Sequence, residues 1–262
     1  MTKKKTFSIA ISGKGGVGKT NTSAMLTRYF SQKGNLIAID ADPDTNLPQA
    51  LGVSVDKTLG LSREIFAESA VDNPKTKEEL HTFGEELPNL IKHTDLFDII
   101  VMGRAEGEGC YCGVNHVIRN VIDKEAKSYD FTIVDCEAGL EHLSRRTTED
   151  IDLLISVTDP STYGIMAVKS IKEITEELLI NFGHMMLVVT KVTPDTKEFI
   201  DKLAEENGLK IDAYIPYDPE IAKLDALGES IFSLPDDSIA YSAVEELGQQ
   251  IQNLDIYKSI KG

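Results

Sequence analysis

Several short stretches of the chain are almost wholly apolar: Phe7–Ser12, Leu36–Asp40, Asp98–Gly103, Phe131–Asp135, Asp152–Val157 and Met185–Thr190. They are rich in Ile, Val and Leu and do not alternate strictly with polar positions. A strand with one wet face alternates, whereas a strand covered on both faces need not. These runs therefore predict the central strands of a parallel sheet. Between them lie helix-like segments, among them Lys19–Gln32, Asn115–Lys127 and Ala167–Asn181. The alternation predicts a doubly wound α/β fold, a mostly parallel sheet flanked by helices and joined by right-handed crossovers. The stretch Asp56–Phe97 is more polar, contains Pro74 and Pro88, and reads as helices and loops inserted between core strands. No repeat, low-complexity tract or linker divides the chain, so residues 1–262 are expected to form a single domain.

The first apolar run leads directly into Gly13, Lys14, Gly15, Gly16, Val17, Gly18, Lys19 and Thr20, which fit G-x-x-x-x-G-K-[ST]. Here the context matters as much as the motif, because a strand precedes the loop and a helix with small residues follows it. Glycines let successive backbone N–H groups turn inward around phosphate oxygens, and the helix N-terminus adds its dipole. Lys19 is placed to neutralise β- and γ-phosphates. The hydroxyl of Thr20 is placed to hold Mg²⁺, and Asn21 continues the ATP-binding set. Two carboxylate clusters end other predicted strands, where open α/β sheets bind ligands. Asp40 opens the run Asp40, Ala41, Asp42, Pro43, Asp44. Asp42 could orient or deprotonate an attacking water, although the same residues also suit an ordinary turn. Asp135 has the position of a Walker B carboxylate that acts on Mg²⁺ through water.

Composition removes some alternatives. A net charge of -16 makes this chain a poor holder of nucleic-acid backbones. No run approaches a membrane span, and the C-terminal stretch Ile251–Lys258 lacks the basic amphipathic character of a surface-seeking helix. The basic residues Lys3–Lys5 precede a first strand and not a secretory leader, so a cytoplasmic location is expected. Three cysteines in such a chain argue against a disulfide framework. Cys110 and Cys112 stand one residue apart in a Gly-rich stretch, a spacing that suggests metal or redox chemistry. Cys136 reads as a small buried residue. His116 is weighed as an extra ligand or a solvated helix residue, and no chemistry is assigned to His142.

The loop carries a resemblance. Lys14, just after the first glycine, makes it similar to the deviant Walker A loop of the ParA/MinD/nitrogenase-iron-protein class of ATPases. That resemblance implies a P-loop ATPase hydrolysing ATP, with Lys14 reaching across a nucleotide-sandwiched homodimer to the partner's phosphates. It also implies that Asp42 and Gly139 lie in the switch regions that sense the γ-phosphate. Ile215–Asp218, including Pro216 and Asp218, would lie beside the adenine. Thr190, followed by Lys191, stands where the class usually has the Asn that contacts the adenine edge.

A closer resemblance lies in the middle of the chain. Gly107–Cys112 and Ala138–Leu143 together resemble the nickel-insertion accessory ATPases of carbon monoxide dehydrogenase and acetyl-CoA synthase, the CooC/AcsF type. The resemblance implies a metallochaperone in which Cys110 and Cys112 of two subunits hold one Ni²⁺ or Zn²⁺. Stoichiometry favours the same arrangement, since two cysteines cannot complete a tetrahedral or square-planar site and a two-fold interface doubles them. Two alternatives stand beside it. One is an iron–sulfur ATPase like the nitrogenase iron protein, for which the second cluster cysteine is unmatched. The other is a ParA/MinD-type positioning ATPase.

Overall fold

The computed structural model describes residues 6–59, 87–103, 126–137, 151–177 and 182–262. The strands are β1 (Phe7–Ser12), β2 (Leu36–Ala41), β3 (Lys92–His93), β4 (Asp98–Val101), β5 (Phe131–Cys136), β6 (Leu153–Thr158), β7 (His184–Val192) and β8 (Ala213–Pro216). They form one sheet in the order β3-β4-β2-β5-β1-β6-β7-β8. Every pairing is parallel except β3 with β4. The helices are α1 (Lys19–Ser31), α2 (Leu47–Leu51), α3 (Thr162–Glu177), α4 (Pro194–Glu206), α5 (Pro219–Leu227), α6 (Ile239–Asn253) and α7 (Asp255–Lys261).

The continuous apolar character of the strands has a direct cause. In β1, Phe7, Ile9 and Ile11 pack toward the cluster that includes Leu26 and Phe30 of α1 and Val244 and Leu247 of α6. Ala10 points to the opposite cluster with Ile39, Ile100 and Val134. All six residues of β1, β2, β5 and β6 are buried, so neither face has a place for alternating polar residues. Gly248 allows α6 its close approach to α1, because a Cβ there would lie 2.3 Å from the Tyr29 ring.

The mostly parallel, helix-flanked sheet agrees with the sequence expectation, with adjusted boundaries. Helix α3 begins at Thr162, five residues before Ala167. Of Asn115–Lys127 only the last two residues are described, and there Ala126–Ser128 forms a 3₁₀ turn, so a helix does not reach Lys127. Within Asp56–Phe97 the described part contains β3, a two-residue antiparallel edge strand that no apolar run marks. The helices α4 to α7 and strand β8 also lie outside the apolar runs. No described helix is long and apolar enough to cross a membrane.

Candidate nucleotide site

Strand β1 ends at Ser12 and the chain reverses at Gly13, where a Cβ would sit 2.1 Å from the Val157 carbonyl oxygen of β6. Gly16 and Gly18 have φ of 78° and 94°, the left-handed conformation that glycine enters without steric cost. Gly18 is also the N-cap of α1. That helix has no side-chain cap and no acidic residue in its first turn. By contrast, Asp218 caps α5, Ser238 caps α6, and Thr193 with Thr196 forms a capping box on α4. The first amides of α1 are thus left for a ligand, and a phosphate is the anion such a helix end suits.

The cleft in front of this loop has a volume of about 610 Å³ and is lined by Gly15, Gly16, Gly18, Lys19, Thr20 and Asn21 on one side. Asp42, Thr190, Lys191, Pro216 and Asp218 also border it, so most of the expected nucleotide-site residues come together. Tyr217, from the stretch expected beside the adenine, lines it too, as do Asn46, Gln49 and Glu229, to which no motif pointed. Lys19 is buried and its ammonium donates to the Lys14 carbonyl at 3.3 Å. The Lys14 side chain, in contrast, is exposed and runs over the Tyr163 ring, 5.8 Å from its centroid. It therefore points away from the cleft of its own chain.

Asp40 and Asp135 are register partners on adjacent strands and both are buried. Asp135 accepts Thr20 Oγ1 at 2.8 Å and Ser23 Oγ at 2.9 Å. Ser23 carries the same chemistry as Thr20 because it lies one helical turn further along the same face of α1. Burial pushes the Asp135 carboxyl up to about 6, against the lowering pull of these hydroxyls and of Lys19. Burial and then the charge of Asp135 push Asp40 up to about 8, although the amides of Asp42 and Leu47 donate to it. A buried carboxylate with neutral donors, beside a threonine hydroxyl, is a donor set that fits a hard divalent cation such as Mg²⁺. Asp42 accepts the Asp44 amide at 2.9 Å and its carbonyl accepts the Thr45 amide. The segment is thus a turn and a wall of the cleft at once.

These two raised values set a pH dependence. Between the unfolded carboxylate value near 3.9 and the folded values of about 6 and 8, the native state holds protons that the unfolded chain has lost. Stability of the nucleotide-free protein is therefore expected to fall as pH rises from 5 to 8.5, by up to about 1.4 kcal/mol per pH unit for each group still titrating. Chemical denaturation across that range checks it, and Asp40→Asn should flatten the slope.

The base end of the cleft differs from the expected arrangement. The Thr190 hydroxyl is buried and donates to the Val17 carbonyl at 2.5 Å, so its hydrogen is engaged with the phosphate loop. Asp218 keeps its carboxylate inside the fold. Burial would raise it, but Ser238 Oγ and the amides of Glu220 and Ala240 donate to it and hold it below the usual range. It ties α5 to α6 and sets the rim formed by Pro216 and Tyr217. Cys136 is buried, and burial raises its thiol further, which fits a packing role. Cys110, Cys112, His116, Gly139 and His142 lie outside the described residues. Among the described residues no group of three or more His, Cys, Asp or Glu could hold a metal ion.

The family model described as the CobQ/CobB/MinD/ParA nucleotide binding domain matches residues 8–231. An uncharacterized ATP-binding protein of Methanocaldococcus jannaschii is 43% identical over 248 residues, covering 94% of this chain and 98% of that protein. The carbon monoxide dehydrogenase accessory protein CooC of Rhodospirillum rubrum is 31% identical, covering 86% of this chain and 89% of that protein. Among solved structures, the septum site-determining protein MinD of Pyrococcus horikoshii, complexed with Mg-ADP, superposes with a TM-score of 0.69 at 22% identity. That match covers 98% of this chain and 99% of that structure.

Proposed function

Given that this chain belongs to the CobQ/CobB/MinD/ParA nucleotide-binding family and is an ATPase, we propose that it is an ATP-driven metallochaperone. In this reading it takes Ni²⁺, or Zn²⁺ in its place, as cargo and helps insert nickel into carbon monoxide dehydrogenase or acetyl-CoA synthase. The observation that carries the proposal is the pair Cys110 and Cys112 in a chain that aligns over 86% of its length with a carbon monoxide dehydrogenase accessory protein.

In this mechanism the loop amides and Lys19 bind the β- and γ-phosphates. Thr20, and Asp135 through water, would hold Mg²⁺, and the ion would supply positive charge at the phosphates. Asp42 orients the attacking water and accepts its proton as the bond to the γ-phosphorus forms and the bond to the bridging oxygen breaks, leaving ADP and phosphate. Lys14 acts in trans, on the phosphates bound by a second copy; its exposed course over Tyr163 supports that role. The bound triphosphate thus holds two subunits face to face, and that pairing brings the two cysteine pairs to one ion. Hydrolysis removes the cross-subunit contact and frees the cargo for a client enzyme.

Metal analysis combined with size-exclusion chromatography tests this proposal. With ATP and excess Ni²⁺ or Zn²⁺, the chain is expected to elute as a dimer holding about one ion per two subunits. A single subunit under saturating nucleotide and metal sinks it.

A further inference from the structure

The left-handed conformation of Lys191 calls for an explanation. Its φ of 55° is unusual for a residue with a side chain, and it sits at an irregularity between Val189 and Val192 in the β7–β8 pairing. Such strain persists where the surroundings impose it. The turn plants the Lys191 ammonium on the carbonyl oxygen of Gly16, at 2.7 Å. The preceding residue reaches the same loop one position further on, with the Thr190 hydroxyl on the Val17 carbonyl. Two consecutive side chains of β7 thus grip two consecutive carbonyls of the phosphate loop. Gly18, the next residue of the loop, lies against the same side chain, since a Cβ there would be in ordinary van der Waals contact with Thr190 Oγ1 at 3.5 Å.

These contacts have a consequence for the amides between them. A carbonyl held on one side of a peptide plane fixes the direction of the N–H on the other side. Pinning the Gly16 and Val17 carbonyls on β7 side chains therefore aims the Val17 and Gly18 amides, which a glycine-rich loop would not hold by itself. We propose that Thr190 and Lys191 are positioning residues that brace the phosphate loop from β7, and that neither reads the nucleobase. This rests on the ATP-site reading above and changes the role of the residues at its base end.

The test compares ATP with inorganic tripolyphosphate, which has the phosphates and no base, by calorimetric titration in the presence of Mg²⁺. In Lys191→Met both ligands are expected to bind about tenfold more weakly, by the same factor, as suits the loss of one charge-assisted hydrogen bond. Lys191→Arg should recover most of that loss. Lys191→Gly keeps the left-handed turn without strain and lacks the ammonium, so it should match Lys191→Met even if the latter folds poorly. Steady-state turnover should show the loss in KM for ATP, with kcat changed much less. A loss for ATP without one for tripolyphosphate would make Lys191 a base or ribose reader and overturn the brace. Unchanged binding of both ligands in Lys191→Gly would overturn it too. A native chain that binds neither ligand removes the ATP site itself, and a native chain that binds both leaves only the brace in question.

Discussion

Lys19→Met is expected to lower ATP turnover by about 10²–10³-fold, the range measured when one preorganised donor to a developing anion is removed. Lys19 enters α1 at its first residue, is buried, and is oriented by the Lys14 carbonyl, so its ammonium is fixed before any nucleotide arrives. Methionine keeps most of the apolar stem and removes the ammonium, with its charge and its hydrogen bond to the Lys14 carbonyl. A second effect separates the electrostatic role from packing. Lys19 is one of the influences that lower Asp135. Without it that carboxyl should titrate at higher pH, and residual activity should shift toward alkaline pH with it. Turnover assays over a pH series measure both quantities. Activity within tenfold of the native protein would place hydrolysis elsewhere than the phosphate loop.

The parts of this site that the sequence makes legible are those whose chemistry is local. The loop needs glycine where φ is positive and a lysine and a hydroxyl at set steps along one helix, so Gly16, Gly18, Lys19 and Thr20 announce themselves. Asp40 and Asp135 are legible because each is a charged residue at the end of an apolar run. Their mutual influence is not, since it depends on β2 and β5 pairing in register across almost a hundred residues. Thr190 shows the same limit more sharply. As a residue at a strand end it suits contact with a base, and only the fold brings the carbonyls of Val17 and Thr158, both distant in sequence, to its hydroxyl, at 2.5 and 3.2 Å. Asp218 stands before Pro219, which is the local signature of a helix cap, and it does cap α5. Helix α6 also had a readable signal: Ser238 precedes it, and Ala240, Tyr241, Val244, Leu247, Gly248 and Ile251 form its buried face at helical spacing. Apolar runs overlook it because its hydrophobic residues are spread at that spacing and do not fall together.

The cysteine pair sets the second large effect. Cys110→Ser together with Cys112→Ser is expected to take bound Ni²⁺ or Zn²⁺ from about one ion per two chains to background, while ATP binds as before. The thiolate is the ligand in such sites, and a serine hydroxyl does not ionise at neutral pH, so the exchange removes the donor with little change in volume. The stoichiometry discriminates between site geometries, which the loss alone does not. Four sulfurs suffice for one tetrahedral or square-planar ion, and each chain offers two in this motif. A shared site therefore gives half an ion per chain, and the single variants Cys110→Ser and Cys112→Ser each remove two of four ligands from a dimer. A site closed within one chain would give one ion per chain, would lose one ligand per single variant, and would fill whether or not nucleotide is present. Metal content by mass spectrometry on the native protein, both single variants and the double variant, with and without ATP, separates these cases. Half an ion per chain retained in the double variant would move the cargo site away from Cys110 and Cys112, and with it the link between nucleotide-driven pairing and metal transfer.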